Sequence, residues 1–196
     1  MDERAWLKQY LENYKELLIQ DEILKKLVDL KRLLKECQGR GNKAIFAGNG
    51  GSAAIASHCA VDFTKNAQVR CVNFNEADLI TCFANDYGYQ RWLQKALEFY
   101  ADPGDLIILI SSSGRSLNML EAGRYAVAKG LPLVTLTGFS PENPLQSMGG
   151  LNFWVDSRSY NVVEMTHHIW LLAACDLIIG KAEYPAREEV DVTADP

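Results

Sequence analysis

Two short turns rich in glycine and serine carry the residue types that hold phosphate in proteins. The first, Ala47-Gly48-Asn49-Gly50-Gly51-Ser52, follows an apolar run and opens a segment, 53–66, whose apolar spacing predicts a helix. Backbone N–H groups and the positive end of that helix then point at one spot, which is the geometry of an anion site. Glycines also form tight turns that bind nothing, and this run has neither the lysine of a P-loop nor the spacing of a dinucleotide fingerprint. The first turn alone therefore leaves both interpretations open.

The second turn, Ile110-Ser111-Ser112-Ser113-Gly114-Arg115-Ser116, again follows a predicted strand and opens a predicted helix. A serine-rich helix cap explains one or two of its hydroxyl groups but not all of them. Hydrogen bonds to a charged group contribute about 1.5–3 kcal/mol each, so several together would hold one phosphate firmly. Ligands of open α/β sheets bind at the carboxyl ends of strands, which is where both turns lie. The pair predicts a phosphate site more strongly than either turn does alone.

The order of elements from Lys43 onward predicts the fold that positions these turns. The apolar runs are short, and three of them lack polar alternation, which is typical of strands buried on both faces of a parallel sheet. Helical segments lie between them, so we expect a three-layer α/β/α sandwich with a five-stranded parallel sheet. The predicted strands are Lys43–Phe46, Arg70–Phe74, Asp105–Ile110, Pro132–Thr137 and Asn152–Val155, and the predicted helices are Ser52–Asn66, a broken stretch Ala77–Tyr100, Ser116–Lys129 and Val162–Gly180.

Two amphipathic helices, within residues 3–39, are predicted to precede the first strand. Arg4–Gln20 repeats apolar residues at helical spacing, and Asp21 is expected to cap the second helix. Their apolar faces are broad, and we expect them both to cover the sheet and to pack against another copy of the chain. Residues 1–183 are predicted to form a single domain, and residues 184–196 a loose acidic tail.

Composition excludes several classes of function. The chain has 196 residues, of which 48% are hydrophobic and 23% charged, as in an ordinary globular domain. Because the net charge is −5 and lysine and arginine do not cluster, we expect no nucleic-acid partner. No apolar run approaches the roughly 20 residues of a membrane span, and the N-terminus lacks the order of a signal peptide, so we expect no membrane partner and a cytoplasmic location. The five cysteines are odd in number and widely spaced, which indicates reduced core thiols.

Four motifs in order resemble those of the SIS (sugar isomerase) domain: the first glycine turn, Asn85-Asp86-Tyr87-Gly88-Tyr89, Gly104-Asp105 leading into the serine turn, and Val134-Thr135-Leu136-Thr137-Gly138. More closely, they look like the bacterial phosphoheptose isomerases, which convert sedoheptulose 7-phosphate to a manno-heptose 7-phosphate. The resemblance implies a homotetramer with sites at subunit boundaries and the N-terminal helices in the interface. It also implies that a phosphorylated sugar is bound by Asn49, Gly50, Gly51, Ser52, Asn85, Asp86, Ser111, Ser112, Ser113 and Ser116.

The catalytic residues match this family only in part. Where the family has a His and a Glu one helical turn apart, this chain has His58 and Asp62, which share a helix face. Where the last helix of the family carries a Gln or Glu and, eight residues later, a His that serves as metal ligand and acid/base, this chain has Glu164 and Leu172. His168 lies on the same helix face, about 6 Å before Leu172 along the axis. We therefore expect Asp62, Glu164 and His168 to be catalytic, and His58, Asp62, Glu164 and His168 to bind zinc or another divalent metal.

The resemblance implies an aldose–ketose isomerase that acts through an enediolate. Asp62 or Glu164 would be the base, and a metal or His168 would polarise the carbonyl group. The expected substrate is sedoheptulose 7-phosphate, and its product would supply heptose for a surface polysaccharide. Because loss of a positioned acid or base typically costs about 10²- to 10⁴-fold in rate, Leu172 leaves an alternative: a non-catalytic SIS protein that binds a sugar phosphate or a protein partner. A third possibility is the same chemistry on a hexose or amino-sugar phosphate.

Overall fold

The computed structural model describes residues 1–183, and the predicted acidic tail, 184–196, lies outside them. The described residues form one five-stranded sheet in which all neighbouring strands are parallel, in the order β2-β1-β3-β4-β5. The predicted fold class is therefore confirmed. The elements are α1 (Glu3–Leu18), α2 (Asp21–Gly39), β1 (Ala44–Gly48), α3 (Gly51–Lys65), β2 (Cys71–Val72), α4 (Ala77–Tyr87), α5 (Trp92–Tyr100), β3 (Leu106–Ser111), α6 (Leu117–Ala128), β4 (Leu133–Gly138), β5 (Leu151–Val155) and α7 (Tyr160–Ile179).

The sheet order places the two predicted turns side by side. After β1 the chain first adds β2 on one side, and it then returns to add β3 on the other side. In the β1–β3 ladder Gly48 pairs with Ile110, so the two strands end at the same level. A doubly wound sheet has its ligand crevice at such a reversal of strand order.

The inner strands are buried on both faces. Phe46 and Ile108 point to the face covered by α2, α3 and α7, whereas Ile45 and Ile107 point to the face covered by α5 and α6. Because successive side chains of a strand alternate between faces, a strand with helices on both sides needs apolar residues at every position. This arrangement explains why the runs lack polar alternation.

The N-terminal helices differ in what they cover. α2 buries Ile23, Leu30 and Leu34 against the sheet, whereas α1 has no buried residue and leaves Trp6 and Leu7 exposed. The predicted capping role of Asp21 was wrong, because α2 already includes Asp21 and its N-cap is Gln20, which makes no side-chain cap bond. α2 therefore has the first expected role, covering the sheet. The apolar stripe of α1 is exposed in the single chain, and its packing against another copy stays a prediction.

α7 is the one described helix that is long and apolar enough to cross a membrane, judged by length and composition. The expectation that no apolar stretch approaches that length was therefore wrong on those terms. In the structure Val163, Trp170 and Cys175 pack in the same core as Phe153 of β5. The core helix of a soluble protein passes the same test, and α7 packs as such a helix does.

Candidate active site

The glycine turn after β1 brings backbone closely against backbone and against a carboxyl group. A Cβ at Gly48 would lie 2.6 Å from the carbonyl carbon of Ser52, and Gly50, the N-cap of α3, has a positive φ of 54°. A Cβ at Gly51 would overlap the carboxyl group of Glu164. The N–H groups of Gly51 and Ser52, the first two of α3, have no backbone acceptor and are free for an anion, whereas those of Ala53 and Ala54 donate to the Gly50 carbonyl.

The serine turn after β3 presents hydroxyl groups, and two of them, on Ser112 and Ser116, make no hydrogen bond within the described residues. The Ser112 side chain is buried, and its Oγ has no hydrogen-bond partner among the described residues. Ser116 is the N-cap of α6, but its side chain makes no cap bond. Ser113 Oγ accepts a 3.2 Å hydrogen bond from the N–H of Arg115. A buried hydroxyl group without a partner is costly in a fold and therefore indicates a ligand position.

A second layer of contacts fixes the serine turn to the end of β4. The N–H of Gly138 donates to the carbonyl oxygen of Ser112 at 2.9 Å. The neighbouring Thr137 carbonyl accepts from Nε2 of His167 at 3.0 Å. His167 is fully buried, and its burial lowers the pKa of the ring to about 4, so it is neutral at physiological pH. The local hydrogen bond of His167 thus supports β4 next to the serine turn.

The two turns share one cavity of about 250 Å³ at the carboxyl ends of β1 and β3. This volume is close to the lower end of the roughly 300–1,000 Å³ usual for small-molecule pockets. The cavity is lined by Asn49, Gly50, Gly51, Ser52, Ile110, Ser111, Ser112, Ser113, Ser116, Tyr160 and Glu164. The structure therefore brings together the predicted residues of both turns with Glu164 from α7.

Glu164 carries the carboxyl group in this lining. It lies against Gly51 at the N-terminal end of α3, one turn into α7. Burial raises the pKa of the Glu164 carboxyl group above its ordinary value. A carboxylate with a raised pKa binds protons more readily and is a stronger base than an ordinary glutamate.

His58, Asp62 and His168 form a row of close polar contacts beyond the cavity. Nε2 of His58 lies 3.2 Å from Oδ2 of Asp62, and Nδ1 of His58 lies 2.9 Å from Nε2 of His168. The two imidazole rings share one hydrogen bond, in which one of these nitrogens donates and the other accepts. Burial and the neighbouring His58 lower the pKa of His168. His168 lies about 6 Å beyond Glu164 along α7 and is not part of the cavity lining.

The donors of this row do not fit a metal site as they stand. The nitrogens of His58 face Asp62 and His168 instead of converging with them on one point, and Glu164 lies in the separate cavity lining. Within residues 1–183 no group of three or more His, Cys, Asp or Glu side chains is placed to hold a metal ion. The zinc site of His58, Asp62, Glu164 and His168 is thus not assembled in the single chain. Metal binding by these four residues stays a prediction.

Two further predicted contacts lie away from the cavity. Asn85 and Asp86 are exposed at the end of α4, where Asn85 donates to Asp86 at 3.0 Å, and neither lines the cavity. Leu172 is half-buried and packs against the core. Conversely, Tyr160 is not among the predicted site residues, yet it lines the cavity, is 60% exposed and packs edge-on against Phe139.

The fold and this cavity define a doubly wound α/β protein with a small polar ligand site at its strand reversal. The chain belongs to the SIS domain family, whose model matches residues 9–138. This match includes both turns and ends before α7, the helix of Glu164 and His168.

Individual relatives agree on a class of enzyme. The phosphoheptose isomerase of Fusobacterium nucleatum is 30% identical over 166 residues, which cover 82% of this chain and 81% of the relative. The phosphoheptose isomerase of Colwellia psychrerythraea is 30% identical over 154 residues, which cover 74% and 79%. The solved phosphoheptose isomerase GmhA from Neisseria gonorrhoeae superposes with a TM-score of 0.81 at 25% identity, over 89% of this chain and 96% of that one. These comparisons confirm the resemblance predicted from the motifs.

Proposed function

We propose that this chain is a sugar-phosphate aldose–ketose isomerase that acts on sedoheptulose 7-phosphate, like the phosphoheptose isomerases to which it is similar. The single observation that carries the proposal is the shared cavity, in which an unpartnered, buried Ser112 hydroxyl and two helix N-termini face the carboxyl group of Glu164. A phosphate site and a base in one cavity are what this reaction needs.

The substrate phosphate binds the serine turn. The hydroxyl groups of Ser112, Ser113 and Ser116 and the N-terminal end of α6 surround this position. Hydrogen bonds to an ionised phosphate are stronger than those between neutral groups, and the positive end of the helix adds to them. The sugar then extends towards the glycine turn and Glu164.

Glu164 is the proposed base of the isomerisation. In the ketose-to-aldose direction its carboxylate removes a proton from carbon 1, which gives an enediolate, and then returns the proton to carbon 2. A hydroxyl proton moves from oxygen 1 to oxygen 2 in the same event. Ser52 and the free N–H groups at the start of α3 are donors for the developing oxyanion, because they line the same cavity.

The decisive experiment is proton NMR of sedoheptulose 7-phosphate in D₂O with the purified protein. Solvent deuterium entering carbon 2, or an aldose signal, is the expected result, and Glu164→Gln should lower the rate by about 10²- to 10⁴-fold. Glu36→Gln is the matched control, because Glu36 is an exposed residue of α2 and does not line the cavity. An unchanged ketose, with or without added zinc, would refute the isomerase assignment.

One observation favours a second candidate, a binding protein without turnover. Leu172 occupies the position of the family's acid/base histidine and packs in the core, while His168 is engaged by His58 and does not line the cavity. This candidate predicts broadened sugar signals without deuterium exchange, and binding that survives Asp62→Ala. Comparison of turnover among heptose, hexose and amino-sugar phosphates tests the third possibility, a different substrate.

The proposal includes a homotetramer in the cytoplasm. Two groups of exposed apolar side chains support burial by another copy of the chain. One lies on α1 and includes Trp6 and Leu11, and the other lies near His58 and His168 and consists of Val61, Met165 and Ile169. All five cysteines are free, and burial raises the pKa of Cys59 and of Cys175 to about 12, which suits a reducing compartment. Supply of heptose to a surface polysaccharide follows from the resemblance alone.

A further inference from the structure

The side-chain amides of Asn49, in the glycine turn, and Asn118, in the helix after the serine turn, donate hydrogen bonds to each other. Nδ2 of Asn49 donates to Oδ1 of Asn118 at 3.0 Å, and Nδ2 of Asn118 donates to Oδ1 of Asn49 at 2.8 Å. Asn49 belongs to the glycine turn after β1, and Asn118 is the second residue of α6, directly after the serine turn. The pair therefore joins the element that follows β1 to the element that follows β3.

The two partners have different surroundings. Asn118 is 2% exposed and does not line the cavity, whereas Asn49 is half-buried and does. A buried amide needs partners, and Asn118 finds its side-chain partner in Asn49. Asn118 thus acts on the cavity only through Asn49.

The hydrogen-bonding capacity of Asn49 is almost fully used by the protein. A side-chain amide has two N–H donors and one oxygen with two lone pairs. The oxygen accepts from Asn118 and, at 3.4 Å, from the hydroxyl group of Tyr89. One N–H donates to Asn118. One N–H donor therefore remains without a partner among the described residues, whereas the oxygen already has one short contact and one long one.

We propose that Asn118 is a positioning residue, which holds Asn49 so that its one remaining N–H donates to an oxygen of the bound sugar. This inference rests on the proposed sugar-phosphate function and adds the kind of contact: an N–H of Asn49 donates to an acceptor oxygen of the sugar. Tyr89 completes the arrangement by occupying the second lone pair of Asn49. The serine turn holds the phosphate independently of this pair.

The test is a double-mutant cycle in which the measured quantity is the dissociation constant of the ligand. Dissociation constants for sedoheptulose 7-phosphate and for inorganic phosphate are measured by ligand-observed NMR for the wild type, Asn118→Leu, Asn49→Ala and the double variant. Asn118→Leu should weaken sugar-phosphate binding about tenfold, because the lost N–H contact is one ordinary hydrogen bond. Inorganic phosphate should bind all four proteins within about twofold of each other, since its hydrogen bonds come from the serine turn. The double variant should match Asn49→Ala, as expected for residues that act as a unit.

The matched control is Asn152→Ala. Asn152 also carries a hydrogen-bonded amide, which donates to the Gly149 carbonyl at 2.8 Å, but it lies near the start of β5, at the opposite end of the sheet from the cavity. A merely structural role of Asn118 would weaken both ligands, or would add to Asn49→Ala, and either result would overturn the proposal. A wild type that binds without turnover defeats the isomerase assignment but leaves this cycle valid. A wild type that does not bind the sugar phosphate overturns both.

Discussion

Replacing Gly51 by alanine should separate the chemistry of the cavity from its phosphate binding. A Cβ at this position overlaps the Glu164 carboxyl group, which sits at the flexible end of its side chain and must move away. Gly51 does not have a positive φ, so alanine fits the backbone. The N–H of residue 51 and the whole serine turn stay in place. We therefore expect a loss of turnover without a comparable loss of phosphate affinity.

The magnitudes follow from the displaced base. If Glu164 removes the carbon proton, moving its carboxylate away from the substrate should lower kcat by about 10²- to 10⁴-fold. The free energy of unfolding should change little, because two effects of similar size oppose each other. Alanine in a helix is favoured over glycine by up to about 1 kcal/mol, and a displaced Glu164 rotamer costs about 0.5–1.5 kcal/mol. A midpoint shift of less than about 4 °C is expected in thermal unfolding.

The assay is deuterium exchange into the heptose, followed by NMR, together with the affinity for inorganic phosphate. Gly39→Ala is the control, because Gly39 also lies in a helix, at the end of α2, and a Cβ there meets nothing within 4 Å. The combination of Gly51→Ala with Glu164→Gln should be no slower than Glu164→Gln alone. Wild-type kcat in Gly51→Ala, or a further loss in the combination, would refute the assignment of Glu164 as base.

Three further predictions concern binding, assembly and pH. Ser112→Ala should make the unliganded fold at least as stable as the wild type, because it removes a buried hydroxyl group that has no partner among the described residues, yet it should weaken phosphate binding about tenfold or more. Ser147→Ala, outside the cavity, should leave phosphate affinity unchanged. Sedimentation should show an assembly for the wild type, and Leu11→Glu, which places a charge in the exposed stripe of α1, should dissociate it; an unchanged mass would place the interface elsewhere. Burial would raise the pKa of the Asp105 carboxyl group, but hydrogen bonds from backbone N–H groups and from Lys43 lower it below the ordinary Asp pKa of 3.8. The ionised Asp105 carboxylate therefore stabilises the folded state above pH 3.8. This contribution to the free energy of unfolding is lost as the pH falls from 3.8 through the lower pKa that Asp105 has in the folded protein. The stability difference between wild type and Asp105→Asn should therefore shrink on acidification below pH 3.8, and a constant difference in denaturant unfolding would contradict this account.

Local patterns in the chain predict the elements well, and their errors have local causes. β1 continues through Ala47 and Gly48, because Gly48 pairs with Ile110, although glycine suggests that a turn has begun. The predicted strand Arg70–Phe74 shrinks to Cys71–Val72, since it pairs at the sheet edge with β1 alone. The predicted break in the stretch Ala77–Tyr100 is confirmed by the ends of α4 and α5 around Gly88, whose φ is 82°.

The candidate site is predictable where it depends on one turn and not where it depends on two distant elements. The glycine turn and the serine turn are each recognisable from their own residues and from the strand before them. Glu164 was selected by resemblance, but its contact with Gly51 depends on how α7 packs against α3. Tyr160 and Asn118 were missed, because nothing in their neighbouring residues indicates that one reaches the cavity mouth and the other pairs with Asn49. Such contacts are a property of the topology and have no local signal.

The exposure of α1 has a consequence for how the chain responds to dilution. Its 16 residues bury no side chain, and it is held to the domain mainly near its end, by Leu17 and Leu18 against the core and by a 3.4 Å hydrogen bond from Tyr14 to the Asn161 carbonyl. A helix of this length is only marginally stable by itself in water. In the proposed homotetramer another copy would cover its first turns, so their folding would depend on protein concentration by mass action. Backbone amides of residues 3–13 should exchange with solvent faster as the protein is diluted, while those of β3 keep their protection.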